Sequence, residues 1–173
     1  MSINIKKLTN YTIDIFAIMC EWYNDEKIKP LITPRFSEKM IMDAEPESLM
    51  EAIKKNMDKI TYIVRDEDKA IGVCSIIYKF GGLINKGEKT AWISIIIGEG
   101  TYRGKGIGRI VMKLIEEECV NLGFKFIELG VFDFNEKAKR LYEYSGYKEI
   151  GRNEKVIYYD GEWFDDIHML KKI

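Results

Sequence analysis

Between residues 90 and 122 a β-branched run, a glycine cluster and an amphipathic stretch follow one another, and this order limits the fold more than any other part of the chain. Ile93-Ser94-Ile95-Ile96-Ile97 predicts a central strand covered on both faces. Glycines from Gly98 to Gly108 break the run. Ile107, Ile110, Val111, Leu114, Ile115 and Leu122 then fall on one helical stripe that Gly123 stops. A strand that enters a helix through Tyr102-Arg103-Gly104-Lys105-Gly106-Ile107-Gly108-Arg109 can aim several backbone N–H groups at one point. The glycines permit positive φ and close approach, and the helix end adds partial positive charge. The ligand suited to that geometry is a phosphate or diphosphate; the alternative is a glycine-rich turn with no ligand. Two common phosphate motifs fail here. A GxxxxGK[ST] loop would need glycine where Glu99 stands and Ser or Thr where Gly106 stands. A GxGxxG fingerprint would need glycine at Arg109, and it should open a βαβ unit rather than follow a meander.

The rest of the chain builds a frame around this unit. Residues 3–8 read as an edge strand. Residues 11–23 read as a helix with Phe16, Met19, Cys20 and Tyr23 on one face. Residues 24–45 are polar, carry Pro30 and Pro34, and read as a loop or lid with room for one helical turn. A helix starts near Pro46 and is expected to bury Leu49, Ala52, Ile53, Met57 and Ile60. Residues 61–65, 70–80 and 90–97 read as an antiparallel meander, with a turn or hairpin tip in the glycine cluster 81–87. Residues 124–132 form a further strand and 135–145 a short helix ended by Gly146. Residues 147–159 and 163–171 close the fold as two strands around Asp160-Gly161. The order β-α-α-β-β-β-α-β-α-β-β implies an α+β fold, a mixed sheet with helices on its faces, in one domain over residues 1–173.

The downstream segment Leu129-Gly130-Val131-Phe132-Asp133-Phe134-Asn135-Glu136-Lys137-Ala138 continues as Lys139-Arg140-Leu141-Tyr142-Glu143-Tyr144-Ser145-Gly146-Tyr147. Asn135 is a good N-cap, and Asn135, Ala138 and Tyr142 share one helix face. Small Ala138 lets a ligand approach, with a phenol one turn beyond. On the helix alone Tyr142 is better read as a core tyrosine packing against the sheet. Joined to Arg103, Gly106 and Gly108, which fit Arg/Gln-x-x-Gly-x-Gly/Ala, the two segments resemble the GNAT superfamily of acyl-CoA-dependent N-acetyltransferases. Residues 21–25 and 159–169 are also similar to the branch with ribosomal-protein N-terminal and spermidine acetyltransferases. The resemblance implies a three-layer fold with a mostly antiparallel sheet of about seven strands, four helices, and a V-shaped splay between strands 4 and 5.

The resemblance also implies a site. Acetyl-CoA would be the co-substrate, with no metal. Its diphosphate would lie on Arg103, Gly104, Lys105, Gly106, Ile107, Gly108 and Arg109, and its pantetheine arm against Ile96, Ile97, Gly98, Asn135 and Ala138. Tyr142 would protonate the leaving thiolate, a role suited to a phenol that is neutral at physiological pH. A backbone N–H near Ile96–Gly98 would polarise the thioester carbonyl. Glu99, Asp133 and Glu21 are the candidate bases for the amine, beside a water chain with no side-chain base. Gly100 departs from the pattern, which often has proline there, and leaves the cofactor strand looser. The acceptor, a small-molecule amine or peptide N-terminus, would be chosen by the first helices and the mixed-charge segment between them. A non-catalytic acyl-CoA-binding domain of the same fold is the alternative.

Charge and composition narrow the partners. Twenty-seven basic residues against 28 acidic give a net charge of -1, which lacks the basic footprint of a nucleic-acid binder. No apolar run reaches the ~20 residues of a membrane span, and residues 1–8 carry no signal-peptide core. Cys20, Cys74 and Cys119 are odd in number and have no metal spacing, as in a reducing cytoplasm. His168 and the Trp163-Phe164 pair read as strand packing. A homodimer is an open assembly state.

Overall fold

The structure, a computed structural model, describes residues 1–86 and 89–173. One seven-stranded sheet runs in the order β1-β2-β3-β4-β5-β7-β6. Its strands are β1 (Ile3–Lys7), β2 (Lys59–Asp66), β3 (Lys69–Ile77), β4 (Thr90–Ile97), β5 (Phe126–Phe132), β6 (Lys148–Tyr159) and β7 (Glu162–Lys172). The helices are α1 (Ile13–Asn24), α2 (Lys29–Ile32), α3 (Pro46–Lys55), α4 (Ile107–Asn121) and α5 (Glu136–Tyr144). Helices therefore number five among the described residues, not four. The fifth is the single turn α2, with Pro30 in its first turn, inside the segment expected as a loop or lid.

Period-2 alternation sends the strands' side chains into two cores. Tyr62, Val64, Cys74, Ile76 and Ile93 meet Ile107, Val111 and Ile115 of α4 on one face. Ile63, Val73 and Ile96 meet Phe16, Met19 and Trp22 of α1 and Ile53 of α3 on the other. Neighbouring strands are antiparallel except β4 and β5, which α4 joins as a crossover. That one parallel pair is short. Thr90, Ala91 and Trp92 face Phe126, Ile127 and Glu128, and beyond them the strands separate. This is the expected V-shaped splay.

Three expected details differ. Helix α3 ends at Lys55, so Met57 projects into solvent at 88% exposure, Ala52 is exposed, and Ile60 belongs to β2. The buried ladder of α4 is Ile107, Val111, Ile115 and Cys119 with Met112. Ile110 lies on the far side of that ladder and Leu122 is the C-cap, so both are exposed. Ser94 is exposed, so β4 is open at that point rather than covered on both faces. The expected turn at 81–82 is present, but Gly87 of the same cluster lies outside the described residues. Among the described residues no helix is long and apolar enough to cross a membrane.

Candidate active site

The glycine loop begins where β4 loses its neighbour. A short 3-10 turn at Gly100–Tyr102 leads to Arg103, and Gly104 and Gly106 both take left-handed φ, +74° and +79°. Gly106 is the N-cap of α4, and its conformation turns the chain into the helix. A Cβ at Gly104 or Gly106 would meet nothing within 4 Å, so packing does not demand these glycines. Backbone conformation does, and the open space admits a ligand. Among the described residues no backbone or side-chain acceptor takes the amide hydrogens of Gly104, Lys105, Gly106, Ile107 or Gly108. Five unengaged N–H groups thus cluster at a helix N-terminus, where the dipole favours an anion.

The other loop residues have different tasks. Arg103 turns its guanidinium back, donating from Nε to Ile97 O at 3.0 Å and from Nη2 to Gly98 O and to Asp25 Oδ2, the last at 2.7 Å. Its amide donates to Gly100 O, and that of Arg109 to Gly106 O. Arg103 is therefore a clasp that holds the end of β4 to the α1–α2 junction. Lys105 and Arg109 are exposed. The Ile107 side chain is buried, so only its amide faces the loop. A Cβ at Gly98 would lie 2.1 Å from the Trp22 ring, which fixes glycine there by close approach. Ile96 is buried on the α1 side and Ile97 packs toward α4, while the β4 edge beyond Trp92 has no strand partner on its β5 side.

Helix α5 meets this loop. A Cβ at Gly108 would come within 3.0 Å of a Leu141 methyl, so glycine lets α5 close on the first turn of α4. Asn135 caps α5, its side chain accepting from Ala138 N at 3.3 Å. One turn beyond half-buried Ala138 stands Tyr142, also half-buried, against the α4-side core. Burial pushes its phenol up to about 12, and its hydroxyl has no hydrogen-bond partner among the described residues. A neutral phenol with a free O–H is equipped to donate a proton.

The candidate bases are less well equipped. Glu99 pairs with Lys69 Nζ at 2.9 Å, and that ammonium holds its carboxyl below the usual range. Asp133 lies 3.5 Å from Lys139 Nζ, and Glu21 is exposed on α1. In the mixed-charge segment Asp25 is taken by Arg103 and Asp43 by Lys29 at 2.6 Å. All three cysteines are free and buried.

One polar group at the cleft was not read from the sequence. Glu128, fully buried, accepts from Ile84 N and Asn85 N, each at 2.9 Å, and pairs with His168 Nδ1 at 2.7 Å. His168 Nε2 in turn faces Asp166 Oδ2 at 3.5 Å. The signal was present, as a carboxylate inside Phe126-Ile127-Glu128-Leu129 and the i, i+2 pair Asp166 and His168. Register is what joins them.

Residues 16–147 match the model of the Acetyltransferase (GNAT) family, well over half of the chain. The chain belongs to that family. GNAT enzymes are acetyltransferases. A mouse (Mus musculus) thialysine N-epsilon-acetyltransferase is 38% identical over 53 residues, which is 31% of each chain. A Vibrio cholerae spermidine N-acetyltransferase, solved with CoA and spermine, superposes with a TM-score of 0.78 at 22% identity, covering 99% of this chain and 95% of that one. A Brucella melitensis ribosomal-protein-alanine N-acetyltransferase gives 0.75 at 19% identity, covering 98% and 99%. Both share the GNAT fold with this chain.

Proposed function

We propose that this GNAT enzyme moves the acetyl group of acetyl-CoA directly to a primary amine of a small molecule or a peptide N-terminus, in the cytoplasm. The observation that carries the reading is the set of five unengaged amides at residues 104–108 beside the unpaired β4 edge and Tyr142. The amides of Gly104, Lys105, Gly106, Ile107 and Gly108 hold the diphosphate, with Lys105 and Arg109 adding charge at the rim. The β4 edge at Ile96, Ile97 and Gly98 receives the pantetheine arm, which passes Asn135 and Ala138 on its way into the splay. A backbone N–H of that edge polarises the thioester carbonyl. The amine nitrogen bonds to the carbonyl carbon, the carbon–sulfur bond breaks, and Tyr142 gives its proton to the sulfur.

Thiol release from acetyl-CoA, followed across polyamines, aminoglycosides, amino acids and peptides with free N-termini, tests the reading. Release that depends on one class of amine supports it. Tight acetyl-CoA binding with no release above background for any class contradicts it.

A further inference from the structure

Glu128 is a costly residue for the interior of a sheet. A buried carboxylate must be compensated group by group, and an apolar side chain of similar volume would serve the sheet as well. Its compensation here is complete and directional. Two backbone amides of the segment before β4 and the imidazole of His168 surround it. The imidazole then leads to Asp166, with separations of 2.7 and 3.5 Å along the chain Glu128, His168, Asp166.

Trp92 opposite Glu128 is the last β4–β5 pair, so the carboxylate stands where the cleft opens. Gly130 lies opposite His168 and Phe132 opposite Asp166, which puts all of them on the face away from α4. A Cβ at Gly130 would lie 2.9 Å from the tip of the Trp92 ring and 3.1 Å from Asp166 Oδ1. The missing side chain thus leaves the indole and the carboxylate converging on one spot. Asp166 keeps 22% of its side chain exposed, against 3% for His168 and none for Glu128, so it is the end of the chain that meets solvent.

We propose that Asp166, backed by His168 and Glu128, receives the acceptor's ammonium at the floor of the cleft and takes a proton from it. This rests on the N-acetyltransferase reading and extends it to the acceptor side. Each imidazole nitrogen of His168 faces a carboxylate oxygen, and Asp166, at the solvent end, is the carboxylate left to meet an ammonium. The other groups facing the imidazole are neutral: the Asn153 amide of β6 at 3.3 Å and the Trp92 ring of β4 at 5.3 Å. Arg152 of β6 is taken by Glu149 and Asp165 on the other face of the sheet. An ammonium has no lone pair, so one proton passes to Asp166 and on to water before the nitrogen attacks. The second proton lost from nitrogen replaces the one Tyr142 gives to sulfur, and the products are the amide, CoA thiol and one proton. Asp166 is the catalytic residue; His168 and Glu128 position it.

The pH profile of Asp166→Asn separates this role from a structural one. Near pH 7 kcat/KM for the amine should fall about 10²-fold, with acetyl-CoA affinity unchanged within about twofold. The loss should shrink toward pH 10, where an alkyl amine of lysine-like pKa ~10.4 sheds its own proton. Asp166→Glu should recover part of the activity, and His168→Gln, which still donates to Glu128 but carries no charge, should show a smaller loss of the same pH shape. A loss under about threefold at pH 7, or one equal at pH 7 and pH 9.5, overturns the proposal. A readout without turnover is also available, because His168 is the chain's single histidine. Propylamine should move its imidazole ¹⁵N signals where sodium chloride of equal ionic strength does not. If no amine releases thiol but propylamine moves His168, the amine site stands and the transferase reading falls. If thiol is released but Asp166→Asn keeps the wild-type pH profile, the reading stands and the Asp166 role falls. If neither signal appears, both fall.

Discussion

The proton-donor role proposed for Tyr142 rests on three properties: a half-buried ring, a phenol pushed up to about 12 by burial, and a hydroxyl with no partner among the described residues. Removing only the oxygen isolates that role. Tyr142→Phe should lower kcat about 10²-fold and leave acetyl-CoA affinity unchanged by calorimetry, since the ring still packs on the same core. An unchanged kcat assigns the thiolate's proton to another source. At this scale the sequence was uneven. Tyr142, Asn135 and the glycines were legible because their spacing along one helix or loop is local. Glu128 and His168 were not, because they lie 40 residues apart in sequence and only β5–β7 register brings them together. Arg103 was placed by its motif but not in its contacts, since Asp25 is 78 residues away.

The glycine loop and the two helices it serves act as one element. Gly106 is left-handed with open space around it, so its replacement tests conformation and approach together. Gly106→Ala should cost about 1 kcal/mol, or roughly 2–4 °C in melting temperature for a chain of this size. It should also weaken acetyl-CoA binding at least tenfold, because the new methyl turns the amides from the diphosphate. An affinity within twofold of wild type would remove the loop from the site. Asn135→Ala probes the other helix. Losing the cap on Ala138 N should cost about 1 kcal/mol by denaturant unfolding. Helix ends were the least legible elements. The apolar spacing of α3 runs past Lys55 in sequence, but the chain turns at 56–58 to start β2, and Met57 is left outside. Ile110 follows the same logic, since a stripe drawn from sequence does not say where its centre meets the sheet.

The whole molecule is a sheet deliberately opened at one seam. Parallel pairing of β4 with β5 lasts three residue pairs, α1 and α3 close one face, α4 and α5 the other, and the Arg103–Asp25 clasp joins the glycine loop to the α1–α2 junction. The order of elements along the chain was legible from the changes of period, the splay only through the family resemblance, and α2 only as one helical turn somewhere in residues 24–45, because four residues carry no period. Stability should follow pH on two sides. Hydrogen bonds from Arg103, Ser2, Lys69 and Lys155 hold Asp25, Asp66, Glu99 and Asp165 respectively below their usual range. Their contribution is present above the unfolded carboxylate values and is lost as pH falls below about 4. His168 is raised, by Asp166 first and Glu128 next, against the cost of burial. Its contribution is complete below the unfolded value of about 6.5 and is lost as pH rises through the higher folded one. The melting temperature should therefore peak between roughly pH 5 and 6.5, and His168→Gln should flatten the alkaline side alone.

The proposed cofactor site depends on the grip of a few amides on a diphosphate. A ¹H–¹⁵N spectrum recorded with increasing CoA reads those amides directly. The resonances of Gly104, Lys105, Gly106, Ile107 and Gly108 should move furthest and saturate together. If they stay in place while CoA binds, or if saturating CoA moves nothing, the loop is a turn and the site lies elsewhere.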